Sequence, residues 1–340
     1  MMNAPVADQL DPFFPIDAVI RDGKPQIEWL RMPDVGFDEP FFYQTVERVR
    51  QTDPGLESLF TDPGALLQVA AASPPNPAGL IFHTSRCGST VVANACRALD
   101  STRVIAEAPV VDKLVSRLFT DADPGSSKEL VYLSLIRAAV QSFARHPHNA
   151  LRRYFVKFAS TSILHIESLR KAWPDVPFLI LLRDPVEITV SNLRNRPQWM
   201  SAESNPGAAA AIVGVDVDQL AAISAEEFCA RALGRYYAAA QSVARDRSTL
   251  LIDYSQLSLQ TLKQILDFFG VTPSVHETVA IEKSLISHSK DPARSFRPDS
   301  ADKKAAASIH VVEAVEKWAL LDYECLRRSF TAVPQVIGLK

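Results

Sequence analysis

The segment Leu80 to Thr90 reads LIFHTSRCGST: a short apolar run, a tight turn, then two hydroxyl residues. The pattern predicts a strand that enters a helix through a loop. Backbone N–H groups at a helix start lack carbonyl partners, and the helix dipole favours an anion there. Gly88 lets the backbone approach a ligand closely. Ser85, Ser89 and Thr90 add hydroxyls, and Arg86 adds a planar fork suited to phosphate or sulfate oxygens. Cys87 stands at the same helix start, a position that lowers a thiol pKa, but no second cysteine lies near it in sequence to make a redox pair. The nucleoside-triphosphatase pattern GxxxxGK[ST] is not met. Aligned through Gly88, its first Gly becomes His83 and its Lys becomes Ser89. The charge that sits on the β- and γ-phosphates is therefore missing. The chemistry expected is an anion cradle poorly suited to ATP hydrolysis.

A second constellation is PFLILLRDPVEITVSNLRNR, from Pro177 to Arg196. A continuous apolar run predicts a strand buried on both faces. Arg183 follows at its carboxyl edge, where open α/β sheets bind ligands. Asp184 and Pro185 are a helix start, with Asp as N-cap and Pro at the first position. Ser191 lies two turns past Asp184 on the same face, so Arg183 and Ser191 are expected to converge on one anion. Each of these features also has a plainer reading: a capped helix after a core strand, or a strand-end Arg paired with a carboxylate.

Taken together, the two constellations resemble the sulfotransferases that use 3′-phosphoadenosine-5′-phosphosulfate (PAPS), and the likeness spans roughly residues 78–330. The resemblance implies that Ser85, Arg86, Cys87, Gly88, Ser89 and Thr90 hold the 5′-phosphosulfate, while Arg183 and Ser191 hold the 3′-phosphate. Lys157 in YFVKFAS matches the family lysine that stabilises the leaving phosphate, with Ala159 where a proline usually stands. The stretch 250–271 (LLIDYSQLSLQTLKQILDFFGV) is similar to a late family motif, with Ser255 in place of its Glu. In SHSKDPARSFRP (287–298), Lys290, Arg294 and Arg297 stand where a basic loop covers the adenosine end.

Glu107 is the candidate base. It follows the strand RVIA, precedes Pro109 and lies 21 residues after Arg86, an offset similar to that of a base glutamate in some relatives. His83 and His165 are rival bases, since other members use a histidine. Arg86, Lys157 and Glu107 would thus carry the sulfuryl transfer. No metal-ligand spacing occurs, and none is expected. The alternatives are a P-loop kinase or NTPase, and a relative that binds nucleotide without turnover.

The elements that must position these residues alternate. Strands are predicted at Leu80–Phe82, Arg103–Ala106, Tyr154–Phe158, Pro177–Leu182 and Thr249–Asp253, with helices at Ser89–Leu99, 128–145 and Ile163–Trp173 between them. The expectation is a three-layer, P-loop-like α/β fold, a parallel sheet with helices on both faces, over residues 77–335. SPPNPAG (73–79) is a connector, and residues 1–76 form a small N-terminal extension, read as a packing or dimerisation element or as a substrate-recognition module. Val311, Val315, Trp318 and Leu321 are expected to face inward from a late helix. Loops at 112–127 and 195–224 are expected to shape an acceptor site, with Phe119, Trp199 and Tyr236 as apolar lining.

Lys plus Arg number 36 and Asp plus Glu 39, a net charge of −3, which argues against a nucleic-acid surface. No apolar run reaches the ~20 residues of a membrane span. The first residues lack the pattern of a signal peptide. The four cysteines show no disulfide or zinc spacing. The expectation is a cytoplasmic enzyme, with a homodimer left open, acting on a small-molecule, lipid or peptide acceptor.

Overall fold

Two runs, GLIFH and FLILL, are buried at every position in the computed structural model. They are the middle strands of the protein. The structure describes residue 10 and residues 13–32, 36–70, 75–145, 151–201, 205–288, 291–295 and 300–332. Lys290 and Arg297 lie outside the described residues.

The N-terminal part holds β1 (Phe13–Arg21), β2 (Lys24–Arg31), α1 (Phe42–Thr52), β3 (Ser58–Thr61) and α2 (Gly64–Ala70). Then follow β4 (Gly79–His83), α3 (Ser89–Arg97), β5 (Thr102–Ala106), α4 (Pro109–Asp121), α5 (Ser127–Ser142) and β6 (Arg153–Lys157). After them come α6 (Ile166–Ala172), β7 (Phe178–Leu182), α7 (Pro185–Arg194), α8 (Pro206–Val213), α9 (Ala225–Val243) and β8 (Thr249–Asp253). The chain continues through α10 (Leu259–Phe268), α11 (Val275–Ile286) and a short ribbon of β9 (Ser287–His288) and β10 (Asp291–Ser295). It closes with α12 (Ser300–Ala305), α13 (Ile309–Trp318) and α14 (Leu320–Ala332).

Strands β4 to β8 form one sheet in the order β5-β6-β4-β7-β8, with every neighbouring pair parallel. The two-residue period of a strand sorts its side chains to opposite faces. Leu80, Phe82, Phe178, Ile180 and Leu182 enter one core, shared with α4, α5 and α9. Ile81, Leu179, Leu181 and Phe155 enter the other, shared with α3 and α10. Helices therefore cover both faces, as the alternating sequence pattern predicts. The order places β4 between β6 and β7, so the chain leaves the middle of the sheet in both directions. Ligand sites of open α/β sheets lie at the carboxyl edge of such a switch point.

The N-terminal part is a three-stranded antiparallel sheet with two helices. Its apolar side joins the first core: Phe14 stacks on Phe143 at 6.2 Å, and Phe42 meets the same ring edge-on at 5.1 Å. Arg97 donates to the Phe37 carbonyl at 3.1 Å, and Arg145 donates to the carbonyls of Leu10 and Phe13.

Three local readings are corrected. Much of 112–127 is helix rather than loop: Pro109 opens α4, and Val110, Val111, Leu114, Val115 and Leu118 recur at helical spacing and are buried. The helix expected from Ile163 begins as a 3₁₀ turn over Ser160–His165 before α6. Leu321 is 70% exposed, because the helix carrying Val311 and Val315 ends at Trp318, Ala319 leaves helical geometry at φ −130°, and α14 starts afresh at Leu320.

Candidate active site

Four strand ends meet at the carboxyl edge of the sheet, and each carries one of the residues singled out above. The loop after β4 is the tightest. Ser85, Arg86 and Gly88 have φ of 71°, 50° and 81°. Non-glycine residues held there cost roughly 1–3 kcal/mol each, a strain that gathers at ligand sites. Turns of this kind can curl the backbone so that successive N–H groups face one concavity, and this one leads directly into the first turn of α3. Gly88 is the N-cap, and Ser89 and Thr90 are buried at the helix start.

Gly88 is required twice over. Its φ is 81°, and a Cβ there would lie 2.4 Å from Leu257 Cδ1 and 3.1 Å from the Tyr254 ring. Gly88→Ala is expected to lower stability by about 1–3 kcal/mol and to weaken anion binding. A melting curve and a phosphate titration check it, and unchanged values in both would refute the tight packing.

Arg86 lies along α7 instead of reaching across the loop. Its Nε donates to Asn192 Oδ1 at 3.1 Å and an Nη donates to the Asn195 carbonyl at 2.6 Å. Ser85 Oγ donates to the same Asn192 oxygen at 3.3 Å. Asn192 is a residue the sequence reading missed. Its only signal was a polar side chain on the inward face of a helix that also carries Ile188. Cys87 is also corrected. Burial pushes its thiol up to about 11, outweighing the helix start and the cations near it. The thiol is buried and meets the backbone of Thr84 and Ser89.

At the end of β7, Arg183 is 4% exposed. Its Nε donates to Glu187 Oε2 at 2.7 Å, and one Nη donates to the Arg86 carbonyl at 3.0 Å. The other Nη donates to Ser300 Oγ at 3.4 Å. The guanidinium lies 3.9 Å from the Tyr254 ring centre, and Tyr237 Oη donates to the Arg183 carbonyl at 2.7 Å. Asp184 caps α7 as predicted, accepting from the N–H groups of Val186 and Glu187. Ser191 stands half-buried one turn beyond Glu187 on this helix. Glu187 is the missed partner here. Four residues from Arg183, it also accepts from Ser300 Oγ at 2.8 Å, with the Lys304 ammonium at 3.6 Å.

At the ends of β5 and β6, Glu107 and Lys157 meet. The parallel register pairs Ala106 with Lys157, so the Glu107 N–H donates to the Lys157 carbonyl at 2.7 Å. The Lys157 ammonium, 1% exposed, donates to Glu107 Oε1. Glu107 has φ 53° and keeps a quarter of its side chain (25%) exposed. Burial alone would raise its carboxyl. Lys157, and His83 with Nε2 at 3.4 Å, instead hold it well below the usual carboxylate range. His83 Nδ1 accepts the Ser85 N–H at 3.2 Å, which ties this pair to the loop. The Phe41 ring, from the N-terminal part, lies 5.1 Å from the ammonium. Asp112 stands close by, and burial followed by the Glu107 charge pushes its carboxyl up to about 8.

A cavity of about 720 Å³ opens from Glu107, bounded by Ser160, His165, Trp199, Ile212 and Tyr43. Trp199 lines this cavity, whereas Tyr236 lies fully buried behind it, ring to ring at 5.8 Å. Burial and the nearby Arg235 lower His165 to about 4. Among the described residues no group of three or more His, Cys, Asp or Glu side chains could hold a metal ion. Among them, too, no helix is long and apolar enough to cross a membrane.

The sequence matches the family model described as Sulfotransferase family over residues 72–276. No curated protein matches it. Among solved structures it is similar to sulfotransferase STF9 from Mycobacterium avium, at 15% identity and a TM-score of 0.42, over 84% of this chain and 79% of that one. A sulfotransferase from Alicyclobacillus acidocaldarius is 16% identical with a TM-score of 0.37, over 75% of this chain and 100% of that one. Mouse sulfotransferase SULT7A1, complexed with PAP, is 13% identical with a TM-score of 0.37, over 78% of this chain and 88% of that one.

Proposed function

The chain belongs to the sulfotransferase family, and from that premise we propose that it moves a sulfuryl group from PAPS to a hydroxyl or amine acceptor, with Glu107 as base. The observation that carries this reading is the meeting of four strand ends. The Ser85–Gly88 loop, Glu107, Lys157 and Arg183 all stand at one edge.

The loop N–H groups and the start of α3 receive the 5′-phosphosulfate. Arg183 and Ser191 receive the 3′-phosphate. Its guanidinium already bonds the Arg86 carbonyl, so the two anion sites share a wall. The acceptor oxygen or nitrogen attacks sulfur, forming the new bond to sulfur while the sulfur–oxygen bond to the phosphate breaks. The electron pair of that bond leaves on 3′,5′-adenosine bisphosphate, and Lys157 neutralises it. The acceptor proton goes to Glu107. As in phosphoryl transfer, positioning and electrostatics supply most of the rate.

The Lys157–Glu107 pair gives this scheme an order. Without donor, Lys157 weakens the base by holding it. A phosphosulfate competes for the ammonium, and the carboxylate regains basicity only as the donor arrives. The acceptor is proposed to enter the cavity beyond Glu107. Tyr43 and Asp17 line that cavity, so residues 1–76 serve acceptor recognition in this reading.

Calorimetry with 3′,5′-adenosine bisphosphate, beside ATP plus Mg²⁺, tests it. Micromolar bisphosphate binding, roughly −8 kcal/mol, with none for ATP is expected. ATP binding with indifference to the bisphosphate would point to a kinase or NTPase. Silence from both would leave a non-catalytic relative.

A further inference from the structure

We infer that Asp112 is a positioning residue for Lys157, acting through the N–H of Ala159. This rests on the role proposed above for Lys157. β6 ends at Lys157, and only Phe158 and Ala159 separate it from the 3₁₀ turn that begins at Ser160. Where the ammonium stands depends on how this short turn is held.

Within itself the turn is closed by the Ser162 N–H donating to the Ala159 carbonyl at 3.0 Å, and three further bonds tie it to its surroundings. The Lys157 carbonyl accepts from the Glu107 N–H at 2.7 Å, and the Phe158 N–H donates to the Ile81 carbonyl at 3.0 Å. Both are sheet bonds that any side chains would allow. The third is different. Ala159 is the N-cap of the 3₁₀ turn, with φ −62° and ψ 152°. Its N–H precedes the turn, so no carbonyl within the turn can accept it. It donates to Asp112 Oδ1 at 3.3 Å.

Asp112 lies in the first turn of α4, five residues after Glu107. One short segment thus grips β6 from two sides. Glu107 takes the ammonium in front, and Asp112 takes the turn behind. A loosened turn would move the ammonium relative to both Glu107 and the donor oxygen. A misplacement near 1 Å in such a site costs about 10²-fold in rate.

Asp112 also borders the cavity proposed for the acceptor, so direct contact with the acceptor is the rival role, and a rescue experiment separates the two. The φ of Ala159 is the value a proline ring imposes, and proline has no N–H to satisfy. Its predecessor Phe158 continues from the strand and makes a sheet bond, a conformation that proline tolerates before it. Ala159→Pro should therefore fix the turn without Asp112.

The full chain is compared as wild type, Asp112→Ala, Asp112→Asn and Asp112→Ala/Ala159→Pro. Asp112→Ala is expected to lower kcat about 10- to 100-fold, with 3′,5′-adenosine bisphosphate affinity within about twofold. Asp112→Asn keeps the accepting oxygen and is expected to stay near wild type. The double variant is expected to return to within about threefold of wild type, a non-additivity typical of residues in contact. If Asp112→Ala does not fold, recovery of the fold in the double variant is the same result. A double variant no better than the single one overturns the inference, as does Asp112→Ala at the wild-type rate.

Amide hydrogen exchange over residues 157–163 needs neither donor nor acceptor. It is expected to quicken in Asp112→Ala, and unchanged exchange refutes the positioning role. Should wild type fail to bind the bisphosphate, the proposed function falls while the exchange comparison still decides the role of Asp112.

Discussion

Glu107→Gln is expected to cut sulfuryl transfer about 10²- to 10⁴-fold while 3′,5′-adenosine bisphosphate still binds. Gln keeps the size of the side chain and an oxygen for the Lys157 ammonium. It loses the charge and the ability to take a proton. Binding should survive because the two anion sites proposed above, the loop after β4 and Arg183, do not include this carboxylate. The pH profile adds a second reading. Lys157 and His83 outweigh burial and keep Glu107 ionised through the neutral range. The acid limb of kcat/KM should fall below the usual carboxylate range, and it should vanish in the variant. His83 is the nearest replacement base, 3.4 Å from Glu107 Oε1. A residual rate that titrates like a histidine would mean that His83 takes over. His165, held neutral by burial, lies across the cavity and is the weaker rival. Turnover near wild type in Glu107→Gln would remove Glu107 from the mechanism.

Arg183→Ala is expected to lower bisphosphate affinity about 30-fold to several thousand-fold, the equivalent of roughly 2–5 kcal/mol. Arg183→Lys should fall between, since an ammonium keeps the charge but not the fork. The same change also removes one partner of a buried ion pair, which typically costs about 3–5 kcal/mol of stability. Glu187 would remain with Ser300 and Lys304 as its partners. Binding must therefore be measured at a temperature where both proteins are folded. Glu187→Gln is the control. It frees the guanidinium from its carboxylate, so bisphosphate should bind at least as tightly as to wild type. Arg183→Ala with wild-type affinity would place the 3′-phosphate elsewhere.

Much of this site can be read along the chain because its parts are local. A buried run, a glycine at the turn and hydroxyls at a helix start lie within eleven residues, Leu80 to Thr90. Asp184 and Pro185 start α7 by contacts with their immediate successors. The alternation of strands and helices gives the layer order for the same reason. The miss at 112–127 was avoidable, since Val110, Val111, Leu114, Val115 and Leu118 carry a helical period from Pro109 onward. Other features had no local signal. Asn192 and Phe41 matter through what they touch, and Phe41 reaches Lys157 from 116 residues away in sequence, whereas Glu187 stands four residues from Arg183 and was within reach of a local reading.

By itself the sequence determined the five strands of the parallel sheet and their order along the chain, the glycine turn at Gly88, and the placement of Arg86, Glu107, Lys157 and Arg183 at strand ends. These depend on residues a few positions apart. Tertiary structure decided which strand ends become neighbours. The order β5-β6-β4-β7-β8 and the pairing of Ala106 with Lys157 bring Glu107 onto Lys157, Asp112 onto Ala159 and Arg183 onto the Arg86 carbonyl. A one-residue slip in that register would turn the same side chains to the other face. The reason is physical: backbone conformation answers to near neighbours, whereas the pairing of charges is set by the packing of both faces of the sheet at once.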